Sequence, residues 1–261
     1  MLVILTAGND LSIGSLVKLS VLVSAILMDG NPDNVMMAVG LTLALGLGVG
    51  LLHAFFINEL NLSPFVVTFA SLFILQGISL TITTKPIGRS SKDFLLLYSQ
   101  KFLEVPIIVY FFGLVTLLVA FLLNMTVFGK HVYAVGGNLT VAELSGIPVK
   151  KVRYGVYGIC SLLAAVTGLL WLMRMGVGDP VIGKELELNA IIAVVIGGTS
   201  LFGGRGTVTG VIGGVLLLTF TDNLLVVLGV NQFVSGLVKG LIFVAAVALY
   251  KPSESFQRAT A

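Results

Sequence analysis

The sequence predicts an all-α, polytopic transmembrane helix bundle that contains broken or half-spanning helices. Three observations lead there. The 261 residues are 57% hydrophobic and only 10% charged, against about 25% charged residues in ordinary soluble domains. Uncharged runs recur at the length that crosses hydrocarbon, for which a helix needs about 20 residues. The chain also holds 31 glycines, and small residues let helix backbones approach closely in lipid. The whole chain, 1–261, reads as one membrane domain. Its net charge of +3 suits loops beside anionic headgroups and gives no reason to expect nucleic acid as a partner.

The chain opens with MLVILT, which has no basic region before it and no cleavage site after it, so it is not a signal peptide. It is too short to cross a bilayer and is expected to be the tail of a helix that begins earlier. Residues 13 to 28 and 189 to 202 are apolar but short; both read as half-helices or broken helices. Between Asp33 and Lys85 the only charge is Glu59, which gives two spans, 35 to 57 and 62 to 83, joined by NELN at 58 to 61. Pro64 falls in the first turn of the second span, where a missing N–H costs little. Further spans are expected at 105 to 129, 154 to 173, 208 to 228 and 231 to 250.

If spans alternate sides, the polar connections 85–104 and 176–188 share one face. The loop 129–153 and the C-terminal tail then share the other. Orientation follows Lys and Arg, but the count is tied. One face has Lys85, Arg89, Lys92, Lys101, Arg174 and Lys184; the other has Lys130, Lys150, Lys151, Arg153, Lys251 and Arg258. Glycines four apart at Gly46/Gly50, Gly206/Gly210, Gly210/Gly214 and Gly236/Gly240 predict close helix packing within the chain.

The longest polar island, GKHVYAVGGNLTVAELSGIPVKKVRYG at 129–155, has internal order. Thr140 and Glu143 have capping-box spacing. Gly146 suits the position just past a helix end, and Pro148 follows where a helix must stop. One or two helical turns fit between them. Leu139, Val141, Ala142 and Leu144 give this helix an apolar surface, ringed by basic residues. Such an element either docks into a groove on another protein or lies on the headgroups.

Two stretches resemble each other, GNDLSIGS at 8–15 and GTSLFGGR at 198–205. Glycine-broken helices in corresponding halves of a chain point to a transport path; the alternative is that the glycines mark ordinary turns. On the first reading Asn9, Asp10, Thr199 and Ser200 line the path. GTSLFGGR is not a phosphate loop, because Gly204 stands where that motif needs lysine. No Cys/His cluster has metal-ligand spacing, and no cofactor or catalytic residue is expected. Cys160 reads as a buried, inert thiol. His53 reads as a packed histidine. Asp10 is expected to cap the helix that starts near Ser12, and Asp222 to pair with Lys239 or Arg205. Two other readings use the same groups: a secondary transporter or channel with Asp10, Asp222 and His53 as a proton path, or an intramembrane enzyme built on the two aspartates. Trp171 is expected at an interface.

The string YAVGGNLTVAELSGIPVKKVRYGVYGICSLLAAVTGLL resembles the membrane permease of bacterial carbohydrate importers of the ATP-binding cassette class, the ribose, galactose, xylose and arabinose type. ELELNAIIAVVIGGTSLFGGRGTVTGVIGG is similar to the second signature of that family, with Asn189 where aspartate is usual, and VILTAGNDLSIGS resembles the third. The resemblance implies at least one further helix ahead of residue 1. It implies that 129–153 is cytoplasmic and carries a coupling helix, with Gly136, Gly137, Asn138, Ala142, Glu143, Ser145 and Gly146 at the docking site of an ATPase. The implied partners are that ATPase (typically one chain with two tandem cassettes), a second permease copy and an extracytoplasmic sugar-binding protein. The implied location is the bacterial inner membrane, crossed several times. ATP hydrolysis would belong to the partner, and this chain would supply the path for a monosaccharide or similar solute.

Overall fold

A buried helix forms the axis around which the others pack. In the computed structural model, which describes residues 1–183 and 185–249, the helices are α1 (Leu2–Leu5), α2 (Ile13–Met28), α3 (Val35–Asn58), α4 (Pro64–Ile82), α5 (Lys92–Ser99), α6 (Ile107–Met125), α7 (Val127–Gly137), α8 (Leu139–Leu144), α9 (Val149–Met175), α10 (Leu186–Ile196), α11 (Val208–Val227) and α12 (Gln232–Leu249). A 3-10 turn, Pro32–Asn34, leads into α3, and a two-stranded hairpin pairs β1 (Lys101–Phe102) with β2 (Val105–Pro106). Among the described residues, α4, α6, α9, α11 and α3 with its leading turn are long and apolar enough to cross a membrane. The architecture is the all-α polytopic bundle expected.

α2 is mostly apolar and buried along nearly its whole length, as a core helix should be. Leu16, Val17, Val21, Leu22, Ala25 and Met28 are all buried, enclosed by α3, α4 and α9. The partly spanning helices sit as the short runs predicted. α10 has 11 residues, a length of ~17 Å at 1.5 Å per residue, about half the hydrocarbon depth of ~30 Å. It breaks at Gly197, and the chain returns through 197–207 to start α11. α6 is the reverse case. Leu117, Leu118 and Phe121 are exposed, as a helix facing lipid should be.

The two polar connections do share a face. Ile87 N–H donates to Gly178 O at 2.8 Å, and Ser90 N–H to Gly176 O at 2.9 Å. The opposite face is marked by Lys150 and Glu59, whose charged groups lie 2.7 Å apart. The sequence expectation for Lys184, Lys251 and Arg258 lies outside the described residues.

Close helix packing runs through the glycines of α3. A Cβ on Gly50 would lie 2.5 Å from Tyr157 O and 2.9 Å from Gly158 Cα, and one on Gly46 would lie 2.5 Å from Ala165 Cβ. α3 and α9 therefore meet backbone to backbone. Gly214 of α11 likewise lies against Ala193 O of α10, whereas Gly236 and Gly240 have open space beside them. Gly50→Ala should destabilise the detergent-solubilised protein by about 1–3 kcal/mol through overpacking. Gly48→Ala on the same helix, with nothing within 4 Å, should gain a few tenths of a kcal/mol to about 1 kcal/mol from helix propensity. Paired melting temperatures check this.

Three expectations for the polar island change. The stretch 129–153 is not a loop. α7 covers 127–137 and α9 begins at Val149, five residues before the span expected at 154–173. α7 forms because Gly129, Val132, Val135 and Gly136 make one buried stripe at helical spacing. Its polar residues lie on the other side and mask the period in an averaged reading. α9 starts early because Lys150, Lys151 and Arg153 extend from the end of a long helix toward the headgroup region, where charged heads stay in water. The cap of α8 is Asn138, not Thr140: Asn138 Oδ1 accepts from Val141 N–H at 3.0 Å. α7 ends at Gly137, so Asn138 is the one residue between the two helices free to adopt the extended backbone that a cap requires.

Candidate coupling surface and solute path

α8 stays folded, though six residues long, through both of its ends. Asn138 caps the start. At the finish Gly146 N–H donates to Glu143 O at 3.0 Å and Ile147 N–H to Ala142 O at 3.1 Å, with Gly146 at φ +76. That pair of bonds is a Schellman motif, and the left-handed residue it needs is the expected Gly146. Ala142 and Ile147 pack into the core beside Val152 and Val156, which ties α8 to α9. The outer surface is apolar: Val141 is 57% exposed and Leu144 84%.

The residues expected at this site divide by what they touch. Gly136 and Ala142 are buried, so they support the surface from beneath. Asn138 is committed to its cap, and the Ser145 hydroxyl donates to Val141 O at 2.8 Å. Gly137, Glu143 and Gly146 are exposed. Leu144, at the tip, presents the largest apolar group.

Beneath α8 lies a three-way junction. Gly204 N–H donates to Leu5 O at 2.9 Å. A Cβ on Gly136 would collide with Leu5 O and lie 2.6 Å from Gly204 N. One on Gly203 would lie 2.8 Å from Ala7 N and from Gly136 O. The Tyr133 hydroxyl on α7 donates to Gly206 O at 2.8 Å. Burial raises the Tyr133 pKa, so the phenol remains a donor at working pH. The end of α7 thus touches the end of α1, just before the first glycine-broken stretch, and the second stretch itself.

Those stretches share a local form, one residue out of the expected register. α1 ends with Ala7 N–H donating to Ile4 O and Gly8 N–H to Val3 O; α10 ends with Gly198 N–H donating to Val195 O and Thr199 N–H to Val194 O. Both are Schellman ends, with Ala7 at φ +56 and Gly198 at φ +80. The matching residues are therefore Ala7 and Gly198, not Gly8 and Gly198. Asp10, Thr199 and Ser200 are buried and Asn9 is half-buried. Asn9 O accepts from the Thr68 hydroxyl at 3.3 Å and the Tyr157 hydroxyl at 3.4 Å. Asp10 Oδ1 accepts from Ser12 N–H at 3.0 Å and from the Ser12 hydroxyl at 2.6 Å. The four expected path residues lie in packed backbone.

Sequence reading missed Lys18. It lies in α2, 5% exposed, and its ammonium donates to Gln76 Oε1 at 2.9 Å. A hydropathy average over 13–28 hides a single lysine. The signal was there all the same, since a charge inside a membrane-buried apolar segment marks a functional site by default.

The groups for a proton path or an aspartate enzyme have other partners. Asp222 pairs with Lys239 at 2.9 Å. His53 Nε2 is 2.8 Å from the Ser71 hydroxyl, edge-on to Tyr157. The Arg174 guanidinium lies over the Trp171 ring at 5.6 Å from its centre.

Residues 1–247 match the family described as branched-chain amino acid transport system / permease component. This chain belongs to that permease family. It is 36% identical over 251 residues to the ribose import permease protein of Escherichia coli (strain K12), covering 94% of this chain and 78% of that one. Against the ribose import permease protein of Bacillus subtilis (strain 168) the identity is 36% over 250 residues, 95% and 77% of the two chains. Against the D-allose transport system permease protein of Escherichia coli (strain K12) it is 34% over 247 residues, 94% and 76%. No solved structure gives a significant match. The chain is a multi-pass membrane permease subunit of an ATP-binding cassette importer.

Proposed function

We propose that this permease forms the path for a monosaccharide or similar small polar solute through the bacterial inner membrane. Its importer contains a tandem-cassette ATPase, a second permease copy and an extracytoplasmic sugar-binding protein. The relatives named for ribose and allose support the solute class; the family description alone would suggest amino acids. ATP hydrolysis belongs to the ATPase subunit.

The observation that carries the coupling role is α8, a six-residue helix fixed at both ends with Leu144 84% exposed at its tip. A short, rigid, apolar knob beside Lys150 and Lys151 suits a groove on a globular partner. The packed junction beneath it supplies the link. Displacing α8 moves α7, and α7 carries Gly136 and Tyr133, which touch the end of α1 leading into the first broken loop and the 204–206 part of the second. Asn9, Asp10, Thr199 and Ser200 then form the closed inner end of the path, opened when the junction shifts. Tight packing favours such discrete two-state movement over gradual deformation.

The test is side-specific labelling in a Cys160→Ser background, combined with uptake. Thr140→Cys on α8 should react with impermeant thiol reagent only from the cytoplasmic side. Glu104→Cys, whose native side chain is 95% exposed on the opposite face, should react only from outside. Vesicles with all partners should take up labelled ribose or allose only with ATP. Reversed labelling would overturn the orientation, and ATP-independent uptake the importer assignment.

A further inference from the structure

The face opposite α8 holds a cavity of about 220 Å³, lined by Ser15, Lys18, Gln76, Pro180, Glu185 and Glu187 among others. Its position is unusual for polar groups. α4 runs Pro64–Ile82, which places Gln76 ~18 Å along it and ~9 Å short of its far end at 1.5 Å per residue. That depth lies inside a hydrocarbon layer of ~30 Å. A lysine at such depth is rare and costly, and it faces a bundle interior or a water-filled cavity. Lys18 does so. It is 5% exposed, and its ammonium is directed at Gln76. Opposite it, the Glu187 carboxylate at the start of α10 fills the space left by Gly14, where a Cβ would collide with it.

The access side is fixed by the backbone. The turn 180–183 that lines the cavity follows Gly176 and Gly178, which are hydrogen-bonded to Ser90 and Ile87. This is the face away from α7 and α8, where solute arrives in an importer whose α8 is cytoplasmic. Irregular backbone at membrane depth is tolerated where it lines a cavity, and 180–183 meets that condition.

We infer that this cavity is a solute-binding station on the path, taking a neutral polyhydroxyl solute. The volume suits one small molecule, below the ~300–1,000 Å³ of drug-sized sites. The lining offers donors from Lys18, Gln76 and Ser15 and acceptors from Glu185, Glu187 and Gln76, the mix of both that hydroxyl groups use. Among the described lining residues one cation faces two carboxylates, a balance that disfavours an anion. Among the described residues no aromatic platform lines it, so contacts are polar and exchangeable, as a path needs. Lys18 and Gln76 act here as solute ligands.

The inference rests on the sugar-import reading, and the test separates the two. Uptake is measured in vesicles containing the assembled importer, with labelled ribose, allose and leucine as probes. Lys18→Met keeps the length and removes the charge; Gln76→Glu keeps the shape and changes the donor set. The expected result is a fall of more than tenfold in sugar uptake for Lys18→Met and an altered ribose-to-allose ratio for Gln76→Glu. ATPase stimulation by the loaded binding protein should persist in both. Unchanged uptake and unchanged ratio would overturn the site. Equal loss of both sugars together with ATPase stimulation would assign Lys18 and Gln76 to packing and also overturn it. If the wild type imports leucine and neither sugar, the sugar-import reading fails, and with it the polyhydroxyl class. The two variants, assayed with leucine, then decide whether the cavity is on the path.

Discussion

Gly146→Pro is expected to abolish ATP-driven uptake while the permease still inserts into the membrane. Gly146 has φ +76, and its N–H closes the last turn of α8 on Glu143 O. Proline fixes φ near −65° and has no N–H, so both features are lost. A six-residue helix has no reserve, since isolated helices shorter than ~12–15 residues are marginal even in favourable sequences. Losing the motif should cost about 1–3 kcal/mol, enough to shift a local folding equilibrium by roughly 5- to 150-fold. Leu144→Asp tests the same surface without unfolding it. An 84% exposed side chain carries almost no folding energy, so a severe uptake defect with a normal melting temperature would have to come from a lost partner contact. The measurements are ribose uptake, ATPase co-purification and melting temperature. Co-purification and uptake at wild-type levels for Leu144→Asp would remove α8 from the coupling interface.

Much of this element was legible because its signals are local. The Gly146–Pro148 stop reads directly from residue type, since a left-handed residue and a missing N–H are properties of single positions. The start was misread because Thr140 and Asn138 are both good caps, and only the end of α7 at Gly137 decides between them. α7 was illegible as a helix for a different reason. Its buried face is made of two glycines and two valines, and glycine reads as a breaker unless the backbone it packs against is known. Five of the six expected spans were legible from hydropathy alone; among the described residues the apolar part of α12, Val234–Ala246, is shorter than the span expected over 231–250. The same averaging concealed Lys18, whose partner Gln76 is 58 positions away. The similarity of the two broken stretches was visible, but the register was not. Matching glycine with glycine obscures the fact that Ala7 takes up the left-handed conformation on one side and Gly198 on the other, and a non-glycine residue at positive φ is uncommon.

Gly136→Ala is expected to be the most damaging single methyl in the chain. The added Cβ would meet Leu5 O and Gly204 N, both backbone atoms joined to each other by a hydrogen bond. Backbone has no rotamer by which to yield, so the junction must separate, and overpacking of this kind costs about 1–3 kcal/mol or more. Both broken loops would shift together, and uptake should fall to background. Misfolding alone could produce the same loss, so a milder variant is needed. Tyr133→Phe removes one hydroxyl and its 2.8 Å bond to Gly206 O without changing shape, a net loss of about 1 kcal/mol. If the junction transmits the movement of α8 to the loops, this variant should fold and bind the ATPase normally. It should then hydrolyse several-fold more ATP per solute transported, because the link has slackened while the motor is intact. Wild-type stoichiometry in Tyr133→Phe, with Gly136→Ala failing only in folding, would make the junction static packing. The closed inner end of the path would then have to move by some other route from α8.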